Sequence, residues 1–206
     1  ADYQTGGRGR RGRRWVSPPG CGAWLSVSYT WDAPPAGLSA LSLSVGAHVL
    51  RVLGSFGASS LSLKWPNDLL SDGRKLGGIL IDVQGDIAGP LTVVVGVGIN
   101  IFVSAEVMEQ VLADGGQPPI GLSEIGVTCG RNVLVGKLIS VISSVLQTYS
   151  SNGFIADREL WCKHDFLNGK RVQVSGGENT HGTAKGVDEH GYLILQTAEG
   201  ERLVGA

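Results

Sequence analysis

Residues 61–83 read LSLKWPNDLLSDGRKLGGILIDV and contain the pattern that decides the fold. Apolar residues occupy every second position from Leu61 to Trp65, which is typical of a half-buried strand. A largely apolar run follows at 76–83 and a second one at 91–97, and such runs are typical of buried strands. The sequence therefore predicts neighbouring strands joined by a short connection at Gly85-Asp86.

The segments on either side of this core pattern predict helices and one more strand. Residues 24–31 mix aromatic, β-branched and hydroxyl side chains and predict a strand. Apolar residues recur at helical spacing over 38–54 and over 134–152, and a shorter helix is expected over 156–164. Residues 5–22 are rich in Gly, Arg and Pro and predict a long mobile loop.

The C-terminal part of the chain has a different pattern. Short strands separated by glycine-containing turns, Gly176-Gly177 and His190-Gly191, are expected at 171–175, 182–187 and 192–196. This pattern predicts a small SH3-like β-barrel in residues 167–206. Residues 1–166 are then expected to form the larger domain.

The segment GRGRRGRRW, residues 7–15, is the strongest functional feature. It holds five of the 17 basic residues and no acidic one, which leaves 12 basic against 18 acidic residues elsewhere. Guanidinium groups bind carboxylates and phosphates with paired hydrogen bonds, and glycines let the backbone approach a ligand. The segment predicts a local site for a small anion. Taken alone, it is equally compatible with a solvated basic tail or an RNA-binding Arg/Gly segment.

Polar residues also stand where the predicted strands begin and end. Asn67 and Asp68 follow one strand, and Lys75 precedes the next, where its ammonium group can stabilise a developing negative charge. Ordinary turn chemistry is the alternative explanation for all three residues. The VGVGIN segment, residues 95–100, lacks the third glycine of a dinucleotide-binding motif and by itself predicts only a closely packed strand end.

Cysteine usage and hydropathy limit the class of protein. Cys21, Cys129 and Cys162 form no CxxC pair and no metal-ligand spacing with the histidines, which is typical of a reducing cytosol. The longest apolar run, residues 93–103, is too short to span a bilayer. The chain begins without Met, so we expect its natural start to lie upstream.

Four motifs in this order, GRGRRGRRW, KWPNDL, RKLGGILID and VVGVGIN, resemble the biotin protein ligases. The resemblance covers nearly the whole chain, including GTAKGVD at residues 182–188. It implies an α+β fold, with a mixed β-sheet flanked by helices as in lipoate ligases and the SH3-like module after it. It also implies a ligase that joins biotin and ATP, with Mg²⁺, into biotinyl-5′-AMP and pyrophosphate.

In the second step such a ligase transfers biotin to one lysine of a biotin carboxyl carrier protein or of the carrier domain of a carboxylase. The resemblance further implies a cytoplasmic protein, compatible with a homodimer, without a membrane or nucleic-acid partner. It implies no direct protein ligand for Mg²⁺, which would arrive with ATP.

The resemblance assigns roles residue by residue. Biotin is assigned to Gln4, Arg8, Gly9, Arg10 and Lys75. ATP or the adenylate is assigned to Arg11, Trp15, Lys64, Asn67 and Asn100. The catalytic residues are Lys75, Arg10 and Asp68, the last preparing the acceptor lysine. Since the carboxylate of biotin and the triphosphate repel each other, a cationic frame must hold both, and Lys75 must therefore face the same cavity as the arginine segment.

The sequence also departs from the family pattern. A Ser/Thr-rich motif expected upstream of Gln4, together with the first strand and helix of the domain, is missing, and the end of the C-terminal module is expected to be clipped. Asp82 stands where the family more usually has glutamate. An inactive fragment, an Arg/Gly-loop protein that binds RNA or DNA, and a lipoate ligase relative stay open as alternatives. An upstream helix-turn-helix domain also stays open.

Overall fold

The structure is a computed structural model and describes residues 1–85, 89–174 and 180–206. Asp86 of the expected Gly85-Asp86 connection lies outside the described residues. The same is true of the expected Gly176-Gly177 turn and of Ser175, the expected last residue of a strand.

The described helices and strands have the following bounds. The strands are β1 (Gly22–Trp31), β2 (Leu61–Lys64), β3 (Asp68–Ser71), β4 (Arg74–Gly85), β5 (Leu91–Asn100), β6 (Arg171–Val174), β7 (Thr180–Val187), β8 (Leu193–Thr197) and β9 (Gly200–Val204). The α-helices are α1 (Leu41–Ser55), α2 (Ala105–Ala113), α3 (Arg131–Asn152) and α4 (Ile155–Lys163). Short 3₁₀ turns cover Arg10–Gly12, Leu38–Ala40 and Leu122–Ile125.

The larger sheet has the strand order β1-β5-β4-β3-β2 and carries α1 and α3. This arrangement confirms the α+β class and the sheet with flanking helices. Every ladder between described strands is antiparallel, and parallel pairing is limited to the isolated bridges Leu63–Asp165 and Lys75–Pro119. The expectation of a mixed sheet therefore holds only through these two bridges.

The paired runs β4 and β5 are neighbours, as the sequence predicts, but they are not buried on both faces. Alternate residues of β5 from Val93 to Ile99 lie in the core, and the residues between them are only partly buried. Their core face packs closely on α1, since a Cβ at Gly46 would lie 3.4 Å from Leu63 and 3.5 Å from Ile79. The other face is apolar for a different reason, because it forms the floor of a cavity.

Three elements were not predicted, namely α2, β3 and β9. Strand β3 is only four residues long and returns directly into β4 through Asp72 (φ 48°) and Gly73 (φ 74°). The sequence analysis placed Asp68 on a turn, whereas it is the first residue of β3 and pairs with Gly78. Helix α2 begins after Ser104, whose hydroxyl accepts a hydrogen bond from the Val107 amide at 3.3 Å.

The C-terminal strands form a four-stranded antiparallel sheet in the order β6-β7-β8-β9. This sheet packs on the rest of the protein and shares its core. The indole of Trp65 donates to the Gly191 carbonyl at 3.0 Å, and Arg158 Nε donates to the Val187 carbonyl at 2.8 Å. A Cβ at Gly191 would lie 2.6 Å from Ala40, so only glycine allows this close contact.

Two helical segments, Leu38–Ser55 and Arg131–Asn152, are long and apolar enough to cross a membrane by length and composition alone. Of these two windows, 56% and 33% respectively are buried inside the protein, and core helices pass the same test. These two helices are therefore only weak evidence for a membrane span.

Candidate functional site

A cavity of about 730 Å³ lies on the large sheet, on the face turned away from the core. Because side chains alternate along a strand, Val94, Gly96 and Gly98 of β5 form part of its floor. Its walls come from the N-terminal loop, from β4 and from α2. The cavity is large enough for a ligand of cofactor size.

Residues 7–15 fold over this cavity and are called the arginine flap below. The Gly9 amide donates to the Arg13 carbonyl at 2.7 Å and the Trp15 amide to the Gly7 carbonyl at 2.9 Å, so the segment turns back on itself. The arginine residues of the flap that line the cavity are Arg8, Arg10, Arg13 and Arg14. The segment predicted as a mobile loop therefore has a defined backbone path, which directs guanidinium groups towards one space.

Arg11 occupies the tip of the flap, with a left-handed backbone (φ 58°), and is exposed. It does not line the cavity as the flap is placed here. Its assignment to the nucleotide therefore stays a prediction.

Trp15 lies on a platform made by glycines. A Cβ at Gly98 would come within 2.9 Å of Cζ2 of the Trp15 indole, and a Cβ at Gly78 within 3.5 Å of Cζ3. Trp24 packs edge-on against Trp15 with ring centroids 6.0 Å apart. Gly98, which from its motif was expected only to pack closely at a strand end, therefore leaves room for an indole against the strand.

Lys75 faces the same cavity as the arginine flap. Its ammonium group lies 2.6 Å from Oδ1 of Asp68 and 5.5 Å from the centroid of the Trp15 ring. A register shift between β3 and β4 at Leu69/Leu70 accompanies this pairing. Lys75 and the arginines of the flap were expected to face one cavity, and the structure brings them together there.

Partial burial changes the protonation chemistry of two further cations. Burial lowers the pKa of Lys64, whose ammonium donates to Gln117 Oε1 at 2.8 Å, while the nearby Asp68 opposes the shift. Burial also lowers the pKa of Arg10, with a smaller contribution from the charges of Arg11 and Arg13. A cluster of partly desolvated cations strongly favours an incoming anion.

The two predicted asparagines line the cavity, but their amide groups bind backbone. Asn67 Nδ2 donates to the Ile79 carbonyl at 2.8 Å, and Asn100 Nδ2 donates to the carbonyls of Lys75 and Ile120, each at 3.2 Å. These bonds tie together the strand ends that carry the lysines. The structure thus shows a structural role for both residues, and their contact with a nucleotide stays a prediction.

The remaining predicted residues lie at the rim. Gln4 and Gly9 line the cavity, and Arg8 does so while its guanidinium forms an exposed ion pair with Asp82 at 3.3 Å. Gln117 lines the cavity too and was missed, as were Val107 and Val111 of α2. The spacing of these two valines and the Ser104 cap were sequence signals for α2, whereas no signal pointed to Gln117.

Within residues 1–85, 89–174 and 180–206 no group of three or more His, Cys, Asp and Glu side chains is placed to hold a metal ion. The cavity carboxylates Asp68 and Asp82 each pair with a cation. The donor set therefore suits a metal that is bound through a ligand's phosphate oxygens.

Comparison with known proteins identifies the class of the chain. Residues 1–100 match the sequence model of the biotin/lipoate A/B protein ligase family, and residues 168–206 match that of the biotin protein ligase C terminal domain. The fold resembles the biotin protein ligase from Aquifex aeolicus in complex with biotin and ATP, with a TM-score of 0.80 and 26% identity. That alignment covers 100% of this chain and 84% of the other.

Curated relatives narrow the class to one family. The biotin–[acetyl-CoA-carboxylase] ligase of Mycobacterium tuberculosis is 33% identical over 95% of this chain and 71% of its own length. The bifunctional ligase/repressor BirA of Salmonella typhimurium is 36% identical over 95% of this chain. The chain belongs to the biotin protein ligase family. It spans 60% of the length of that BirA protein.

Proposed function

We propose that this protein activates biotin with ATP and transfers it to a lysine of a biotin carboxyl carrier protein or carboxylase carrier domain. One observation carries the proposal, namely that the arginine flap and Lys75 line one cavity of about 730 Å³. A site for a single small anion would not need this many cations. Two mutually repelling anions that must react do need them.

In the first step, a carboxylate oxygen of biotin attacks the α-phosphorus of ATP, and pyrophosphate leaves. The product is biotinyl-5′-AMP, a mixed anhydride that water would hydrolyse. The Lys75 ammonium, held by Asp68, is proposed to lie between the two reacting anions and to stabilise the charge that develops there. Mg²⁺ would be bound by the triphosphate and would neutralise part of its charge.

In the second step, the acceptor amine attacks the acyl carbon, and AMP leaves with the electrons of the anhydride bond. A free lysine amine has a pKa of about 10.4 and is mostly protonated at neutral pH, so it must lose a proton first. Asp68 is the proposed acceptor of that proton. Arg10 and the flap around it are proposed to exclude water from the adenylate until the carrier arrives.

The decisive experiment incubates the protein with biotin, ATP, Mg²⁺ and a carrier domain and measures the mass of the carrier. We expect one biotinyl mass increment on a single lysine. Lys185→Ala, which removes an exposed lysine far along the chain, is a matched control for Lys75→Ala and keeps the increment.

Calorimetric titration with biotin separates an inactive fragment, which binds weakly or not at all, from a ligase. Salt-sensitive nucleic-acid binding that ignores biotin would instead support the Arg/Gly-loop alternative.

We also propose a homodimer that uses the open edge of β4. Strand β3 pairs with β4 only up to Gly78, so residues 80–85 pair on one side alone in the described part of the chain. An unpaired strand edge is a template for a further strand. Sedimentation equilibrium over a range of protein concentrations tests this, and a monomer at every concentration contradicts it.

We also propose a cellular location and a domain boundary, on separate grounds. The free thiols of Cys21, Cys129 and Cys162 and the use of ATP support a cytoplasmic protein, which fractionation of cells would test.

A domain boundary at 166–167 is supported by the match of residues 168–206 to a separate domain model. Limited proteolysis that cuts elsewhere and leaves this junction intact would contradict the boundary.

A further inference from the structure

Residues 117–120 are held against the start of β4 like a short additional strand. The Lys75 amide donates to the Pro118 carbonyl at 2.8 Å, and the Ile120 amide donates to the Lys75 carbonyl at 2.9 Å. Arg74 also donates to the Pro119 carbonyl at 2.6 Å. The backbone around Lys75 is therefore fixed by this four-residue segment.

Gln117 extends the same control to a second lysine. Its Oε1 accepts from the Lys64 ammonium at 2.8 Å, while its Nε2 donates to the Gly73 carbonyl at 2.7 Å. The side-chain amide of Gln117 thus uses both of its polar atoms. Its oxygen binds Lys64 of β2, and its nitrogen binds the turn before β4. Gly73 fixes the amide, and the amide in turn fixes the ammonium, which belongs to a long and otherwise flexible side chain.

We infer that Gln117 is a positioning residue that holds the Lys64 ammonium inside the cavity, where it can bind a phosphate of ATP. The inference rests on the proposed function, because it takes ATP as the ligand of Lys64. Gln117 is an uncharged acceptor, so it orients the Lys64 ammonium without neutralising its charge, and that charge can still bind a phosphate. Partial burial lowers the pKa of Lys64, because it disfavours the charged form. Gln117 follows α2, whose Val107 and Val111 also line the cavity, so the same stretch of chain lines the cavity and contacts both lysines.

The test uses Gln117→Met, which keeps length and apolar volume and removes both hydrogen bonds. Gln110→Met in α2 is the matched control, since Gln110 does not line the cavity. In assays of pyrophosphate release, we expect Gln117→Met to raise KM for ATP about tenfold, the effect of one hydrogen bond to a charged group, with kcat changed less than about twofold. The dissociation constant for biotin and the melting temperature should stay near those of wild type.

A double-mutant cycle tests whether the effect passes through Lys64. In a Lys64→Met background, Gln117→Met should raise KM for ATP by less than about twofold, because the interaction is already lost. Equal effects of Gln117→Met in both backgrounds would overturn the inference. A wild-type KM for ATP in Gln117→Met would also overturn it.

A second readout needs no ligase activity. Trace acetylation of the full chain, followed by mass spectrometry, compares the rate at Lys64 with that at the exposed Lys185. Loss of the Gln117 acceptor should speed acetylation of Lys64 several-fold in Gln117→Met and leave it unchanged in Gln110→Met. An unchanged Lys64 rate in Gln117→Met contradicts the inference even if the protein proves not to be a ligase. A wild type without adenylation but with the expected acetylation would contradict only the proposed function.

Discussion

A single ion pair connects the two proposed chemical steps. Asp68 and Lys75 lie 2.6 Å apart with side chains that are mostly buried, so each holds the other in place before any substrate binds. An anion that enters beside Lys75 competes with Asp68 for the ammonium. We therefore argue that substrate binding both recruits Lys75 and releases Asp68 as a proton acceptor.

Lys75→Ala should therefore stop the first step. Removing one charged group that stabilises a developing anion costs about 10²–10³ in rate, and here it also leaves Asp68 without its partner. Pyrophosphate release under saturating ATP measures this effect, with Lys185→Ala as control. A first step of normal rate in Lys75→Ala would remove Lys75 from the mechanism.

Arg10→Gly, unlike Lys75→Ala, should leave adenylate formation intact and impair retention of the adenylate. The flap keeps its glycine-rich backbone, but it loses a partly buried guanidinium directed into the cavity. Adenylate formation should continue, while free biotinyl-5′-AMP escapes into solution at a rate that chromatography can quantify. Arg171→Gly is the control, since Arg171 is exposed on β6 and does not line the cavity. Equal leakage from both variants would show that Arg10 has no special part in retention.

Among the strands, Gly98 of β5 leaves the space in which the Trp15 indole lies. We expect Gly98→Ala to displace the Trp15 indole, because the new Cβ would lie 2.9–3.1 Å from three of its atoms. Such overpacking costs about 1–3 kcal/mol, and KM for ATP should rise together with a change in tryptophan fluorescence. In Gly136→Ala, by contrast, no atom lies within 4 Å of the new Cβ and the residue does not line the cavity, so that variant should behave like wild type. Identical fluorescence and kinetics in the two variants would contradict the platform.

Apolar spacing and turn residues in the sequence predicted most of the elements, including the short strands β2, β6 and β8. Helices α1, α3 and α4 and strands β1, β4 and β5 were predicted within a few residues of their ends. Strand β3 was missed because its sequence DLLS does not alternate apolar and polar residues and lies between turn residues, and α2 because none of its residues is buried in the core.

The motifs predicted which cations surround the cavity, but not how each one is held. The bonds of Asn67 and Asn100 to backbone carbonyls, and the clamp by Gln117, depend on contacts between residues 12 to 53 positions apart. No local pattern encodes contacts of that range. The order of motifs identifies the site, and only the tertiary structure shows which side chains position it.

At the scale of the whole molecule, the junction between the two sheets contains a carboxylate in an unfavourable environment. Asp165 Oδ1 accepts from the Leu167 amide at 2.8 Å, while its Oδ2 is buried without a hydrogen-bond partner among the described residues. Burial raises the pKa of Asp165, and backbone hydrogen bonds from Leu167 and Asn168 offset only part of the shift. The ionised form therefore costs stability where the C-terminal sheet joins the larger domain.

The sign of the pH dependence follows from this raised pKa. The folded state holds the Asp165 proton more tightly than the unfolded state, whose pKa is about 3.9, so this group's contribution to stability is fully present below that value. The contribution is lost as pH rises through the raised folded pKa. Asp165→Asn keeps the acceptor for Leu167 and removes the charge, so it should be more stable than wild type by about 1 kcal/mol near neutral pH.

The advantage of Asp165→Asn should shrink as the pH is lowered towards 4, because the wild-type carboxyl then becomes neutral too. Urea unfolding of both proteins at several pH values measures the difference, and Asp32→Asn, at an exposed position, controls for the change in net charge. A constant difference across this pH range would mean that the Asp165 charge is not what strains the junction. Because the same junction carries the contacts from Trp65 to Gly191 and from Arg158 to Val187, we also expect one urea transition, with the same midpoint by tryptophan fluorescence and by circular dichroism.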